Sequence, residues 1–132
     1  MTCLLDTHSL LWCLFPGGRL SQTAKKIVMD TDNGVWVSVV SIWEVALKYA
    51  LGKIDLKGAL PDEFPDSIKK AGFELLALSP QAAAGFYKLP REVHRDPFDR
   101  MLVWQAIEKG WPLISKDEAL DVYKKAGLTR VW

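Results

Sequence analysis

The chain predicts an α/β fold, a three-layer α/β/α sandwich around a central parallel sheet of four to five strands. Two observations carry this. Short apolar runs (TCLL, VWVSVV, FELLAL, PLIS and TRVW) alternate with longer stretches at helical spacing. No repeats, low-complexity tracts or long linkers interrupt them, and 132 residues suit one domain spanning 1–132.

Each element has its own signal. TCLL is short and apolar and ends at Asp6. SQTAKKIVMDT opens on Ser21, a helix N-cap type. VWVSVV is β-branched and aromatic, which marks a buried strand. SIWEVALKYALGK is helical and stops at Gly52, and LPDEFPDSIKKAG reads as a further helix ended by Gly72. FELLAL is a strand, and SPQAAAGFYKL a helix with Ser79 as cap and Pro80 at its first position. DPFDRMLVWQAIEKG is the longest helix, ended by Gly110. PLIS is a strand, KDEALDVYKKAG a helix ended by Gly127, and TRVW a short closing strand.

Composition excludes several classes. Seventeen basic against sixteen acidic residues leave a net charge of +1, so no strongly basic average announces a nucleic-acid binder, although a local patch can still act. Cys3 and Cys13 lie in apolar runs and form no zinc or disulfide pattern. No stretch approaches the ~20 apolar residues of a membrane span. MTCLLDTH lacks the basic start of a signal peptide, so a cytoplasmic location is expected.

In such a fold, strand C-termini and helix N-termini share one edge, where α/β proteins place their sites. Asp6 follows the first strand, Glu44 and Asp99 belong to the first turns of two predicted helices, and Asp117 follows PLIS. Most other acids (Asp30, Asp32, Asp55, Asp62, Glu63, Asp66, Glu92, Glu108, Asp121) fall in helix tails, loops or turns. Each of the four has a purely structural explanation to set against a site. Ser41 to Glu44 has the pattern of a capping box. Asp96 with Pro97 resembles an N-cap followed by proline at the first helical position. Asp117 suits the positive end of its helix. Asp6 fits such explanations least, because it stands between a strand and a second apolar run, SLLWCLF, where a carboxylate is expensive unless paired or metal-bound. Carboxylates converging on one edge repel unless a cation neutralises them, and hard divalent ions bind such oxygen clusters. Phosphodiester hydrolysis by a metal-activated water fits best.

Four motifs in series then match a known family. LLDTHSLLW, SIWEVALKYALGKI, HRDPFDRMLVWQA and LISKDEAL resemble the PIN-domain ribonucleases, specifically the VapC-type toxins of toxin–antitoxin pairs, over essentially the whole chain. The resemblance implies that Asp6, Glu44, Asp99 and Asp117 are the catalytic and metal-binding acids. Ser115 stands where the family often has threonine, and Asp96 belongs to the HRDPFDR signature without being one of the four. It further implies an Mg²⁺- or Mn²⁺-dependent endoribonuclease acting on RNA. The family is usually homodimeric and is restrained by a VapB-like antitoxin whose C-terminal segment reaches the acidic groove. Hydrolysis by water would leave a 3′-hydroxyl and a 5′-phosphate.

Other readings fare worse. An aspartyl-nucleophile phosphatase of the haloacid-dehalogenase type wants a second aspartate two positions after Asp6, where His8 stands. A phospho-receiver domain wants an aspartate after the central strand, but FELLALS ends on serine. An inactive PIN-fold scaffold remains the alternative, set against the presence of all four acids. Arg95, Arg100 and Lys48 are the weaker candidates for RNA phosphates, and Arg100 could instead pair with a site carboxylate. His94 is expected to organise the loop before Asp96, and His8 has no second histidine at zinc-like spacing. The tryptophans are expected in packing rather than base stacking. Trp43 should join its helix to the sheet, and Trp12 with Leu11, Leu14 and Phe15 offers an apolar patch to a partner.

Overall fold

The structure is a computed structural model describing residues 1–132. Five strands, β1 (Thr2–Leu5), β2 (Gly34–Ser38), β3 (Glu74–Leu76), β4 (Leu113–Ile114) and β5 (Arg130–Val131), form one sheet in the order β3-β2-β1-β4-β5. Every pairing is parallel, with Leu5 opposite Val37 on one side and Ile114 on the other. The helices are α1 (Thr7–Leu14), α2 (Gln22–Met29), α3 (Val39–Ala50), α4 (Phe64–Lys70), α5 (Pro80–Gly85) and α6 (Pro97–Lys109).

Successive strand residues supply opposite faces, so the sheet divides the core in two. Cys3, Leu5, Val35, Val37 and Ile114 join Leu10 of α1, Ala24 of α2 and Phe64 and Ile68 of α4 on one face. Leu4 and Leu113 join Leu102, Val103 and Ala106 of α6, with Leu120 and Tyr123, on the other. This is the predicted α/β/α sandwich. Both cysteines are free, and burial pushes both thiols up to about 11, which makes them inert packing groups.

Several elements differ from the sequence expectation. SLLWCLF belongs to α1, whose apolar residues on all sides hide the helical period. The helix after β2 begins at Val39, with the Ser38 hydroxyl accepting from Val40 N, so Ser41 and Glu44 form no capping box and Glu44 lies in the second turn. Val40, Ser41, Glu44 and Val45 face inward, while Trp43 is 62% exposed, so it does not join the helix to the sheet. It instead meets Phe98 of α6 edge-on, with ring centroids 5.0 Å apart. Residues Glu118–Ala126 form a 3₁₀ rather than an α-helix. Leu120 and Tyr123 lie three residues apart, and a three-residue turn stacks both on the core. Gly110 and Gly127 end their helices with φ of 68° and 110°, a region natural to glycine.

Candidate active site

The strand order reverses between β1 and β4, which opens a crevice at their carboxyl ends. Asp6 leaves β1 and Ser115 leaves β4, side by side: Asp6 N donates to Ile114 O at 3.1 Å, and the Ser9 hydroxyl donates to the same carbonyl at 3.1 Å. Asp6 also starts α1, its carboxylate accepting from Ser9 N at 2.8 Å. Asp6, whose place in the sequence suits a purely structural role least, thus also serves as a helix cap. Its carboxyl is only 7% exposed, and burial raises its pKa, against hydrogen bonds from Ser115 and Ser9 that lower it.

Asp99 arrives on the first turn of α6. Asp96 is the N-cap, accepting from Phe98 N at 2.9 Å and Asp99 N at 3.3 Å, and Pro97 sets the first helical position. Burial, then the neighbouring Asp96 charge, push the Asp99 carboxyl up to about 6, although His94 Nε2 lies 3.0 Å from Asp99 Oδ2. Asp96→Ala removes the cap but none of the cleft's acids. It is expected to lower stability by about 1 kcal/mol and reduce RNA cleavage only in part, measured by urea unfolding and a cleavage assay on one preparation.

Asp117 is exposed and caps the 3₁₀ segment, accepting from Ala119 N at 3.0 Å. The buried Ser115 hydroxyl accepts from Asp117 N at 3.1 Å. Asp6, Asp99 and Asp117 line one cleft of about 310 Å³ with His8, Trp12 and Lys116. Donor atoms of His94, Asp99 and Asp117 lie within 4.8 Å of one another. His94 belongs to this cluster, a position the sequence reading did not give it. The histidine before the Asp-Pro cap was the available signal.

Glu44 stands differently. It is 2% exposed, accepts from the Thr7 hydroxyl at 2.6 Å and is paired with Lys48 through Oε2. It ties α1 to α3 in the wall behind the cleft, close enough for its charge to raise Asp99 further. Lys48 is thus occupied by Glu44. Arg100 pairs with no carboxylate: it donates to Leu89 O, Pro90 O and the Tyr123 hydroxyl and lies over the Phe86 ring. Arg95 remains exposed, and with Arg91 and His94 it lines a polar cleft of about 430 Å³.

A five-strand parallel α/β sandwich with carboxylates at its switch point defines a class of proteins whose chemistry sits on an acidic edge. The chain belongs to the PIN-domain family, whose model matches residues 3–126. It is 29% identical to ribonuclease VapC22 of Mycobacterium tuberculosis (strain ATCC 25618 / H37Rv), over 99% of this chain and 98% of that protein. Its fold is similar to a crystal structure of VapBC2 from Rickettsia felis bound to a promoter DNA fragment (TM-score 0.70, 14% identity, 99% of this chain and 98% of that one). It is also similar to FitAcB from Neisseria gonorrhoeae (TM-score 0.65, 16% identity, 100% and 97%). The resemblance seen in the four motifs is borne out. No helix is long and apolar enough to cross a membrane.

Proposed function

We propose that this chain is the endoribonuclease toxin of a toxin–antitoxin pair, hydrolysing RNA phosphodiester bonds with Mg²⁺ or Mn²⁺. One observation carries the reading: three aspartates from separate segments line a single cleft, and the two more buried ones, Asp6 and Asp99, have carboxyls held above their ordinary range. Neither forms an ion pair with a lysine or arginine, whereas Glu44 does. The donor set is therefore rich in hard oxygen and short of positive charge, which fits a divalent cation. The ion, when bound, supplies that charge and activates the attacking water.

The chain's own residues do the rest. Asp6, Asp99 and Asp117 would hold the ion, and Glu44 would complete the acidic set from the wall. Ser115 fixes the chain entering Asp117. Arg95 is the candidate for an RNA phosphate, because Arg100 and Lys48 are engaged elsewhere. Trp12 lines the acidic cleft and also a groove of about 400 Å³ with Leu11, Phe15, Pro16, Ile54 and Leu56. That continuity suits a VapB-like antitoxin segment that is apolar first and cationic where it reaches the acids. Val39, Trp43, Leu47 and Leu51 form an exposed apolar stripe along and just past α3, on which a homodimer would close.

Purified chain is expected to cleave RNA with Mg²⁺ or Mn²⁺, to stop in excess EDTA and to resume when the ion is restored. Cleavage undiminished by EDTA removes the metal-dependent reading, and no cleavage with either ion favours the inactive scaffold.

A further inference from the structure

The nitrogen beside the acids is the feature that an all-carboxylate site does not explain. His94 Nε2 lies 3.0 Å from Asp99 Oδ2, and one donor atom each from His94, Asp99 and Asp117 fall within 4.8 Å. Adjacent ligands around a six-coordinate ion with bonds of ~2.1 Å stand roughly 3.0 Å apart, and opposite ligands roughly 4.2 Å. The His94–Asp99 distance, a hydrogen bond in the metal-free protein, equals that of neighbouring ligands on one ion, so the Nε2 lone pair reaches the ion once its proton is given up.

The imidazole is also held there by more than its contact with Asp99. The His94 carbonyl accepts from the Tyr123 hydroxyl at 3.3 Å, and that hydroxyl accepts from Arg100 Nε at 3.2 Å. Tyr123 is fully buried, and the Arg100 guanidinium also ties down the carbonyls of Leu89 and Pro90. A segment without regular secondary structure between residues 89 and 96 is thus pinned at both ends of its approach to the cleft, Asp96 itself capping α6. The His94 side chain is 15% exposed, so little rotamer freedom remains to be lost when it binds.

We propose that His94 is a nitrogen ligand of the ion held by Asp99 and Asp117, and that it tilts the site toward Mn²⁺ and similar first-row cations over Mg²⁺. Imidazole suits first-row transition ions such as Fe²⁺, Ni²⁺ and Zn²⁺; Mn²⁺ is the most oxygen-seeking of that series but still takes nitrogen more readily than Mg²⁺, which is held by oxygen. This rests on the metal-dependent reading of the cleft.

The test reads the ligand directly. The chain loaded with one equivalent of Mn²⁺ is expected to show ¹⁴N modulation in pulsed electron paramagnetic resonance. The sequence has only two histidines, so the modulation should vanish in His94→Gln and persist in His8→Gln. Were His94→Gln not to fold, the wild-type and His8→Gln spectra would still assign the nitrogen. By titration calorimetry, the ratio of Mn²⁺ to Mg²⁺ affinity should fall about tenfold in His94→Gln. A wild-type spectrum without nitrogen, or modulation that survives in His94→Gln and disappears in His8→Gln, overturns the proposal. If Mn²⁺ binds with an all-oxygen spectrum and Asp99→Asn abolishes that binding, the metal-dependent reading stands and His94 alone falls. If Mn²⁺ does not bind, both fall.

Discussion

Asp99→Asn and Asp6→Asn are each expected to reduce RNA cleavage by a factor of about 100 or more, an effect on the scale of losing a principal electrostatic element of an active site. The choice of asparagine isolates the charge. Asp6 is also the N-cap of α1, accepting from Ser9 N, and asparagine caps about as well as aspartate. Helix α1 is therefore retained while a negative oxygen is lost. Asp99 is not a cap, and its neutral replacement removes a carboxylate that burial and the Asp96 charge already hold unfavourably. Metal-free Asp99→Asn should accordingly be at least as stable as wild type at neutral pH, although it is inactive. Cleavage rate and urea unfolding in EDTA, measured on the same material, separate this from damage to the fold. Cleavage by either variant at the wild-type rate would dismiss that residue from the site. Loss of activity together with a large loss of stability would make it a structural residue instead.

The sheet and the acidic edge were legible because they rest on local signals. β-branched and apolar runs marked all five strands, and Asp96-Pro97 announced the start of α6, which the structure places there. Three features were not legible, each for a physical reason. Helix α1 is apolar nearly all round, so its period is invisible and its cap, Asp6, looked like an isolated charge. The start of α3 was misplaced by three residues, because Ser38 and Ser41 are both plausible caps. Only packing against the sheet decides which is used, and the same packing sets the inward face of α3, with Glu44 bonded to Thr7 and Lys48 and Trp43 exposed against Phe98. The third was the role of the basic residues. Nothing in HRDPFDR says that Arg100 is taken up by backbone carbonyls and Tyr123, 23 residues away, while Arg95 is left free. Long-range hydrogen bonds are absent from any local pattern.

The same electrostatics predict an unusual stability profile for the metal-free protein. Asp99 titrates near 6 when folded, against an ordinary 3.8, and the Asp6 carboxyl is shifted in the same direction by burial. A carboxyl whose folded pKa is raised binds its proton more tightly in the native state. Its stabilising effect is fully present below about pH 4 and is lost as pH rises through about 6. For Asp99 alone the shift corresponds to roughly 3 kcal/mol, with Asp6 adding in the same sense. Asp121 and Asp55 are shifted downward by Arg130 and by Lys57, so their stabilisation is lost on acidification, below the window in which Asp99 acts. Urea unfolding in EDTA should therefore show stability declining between about pH 4.5 and 7.5, where a typical protein holds steady. Adding Mn²⁺ at pH 7.5 should reverse the decline, by about 2.7 kcal/mol at one hundred times its dissociation constant. Asp99→Asn should flatten both responses. A wild-type profile in EDTA that is level or rises toward pH 7.5 would mean that the carboxylates are already neutralised by the protein itself, and the cleft would then have no electrostatic need of a cation.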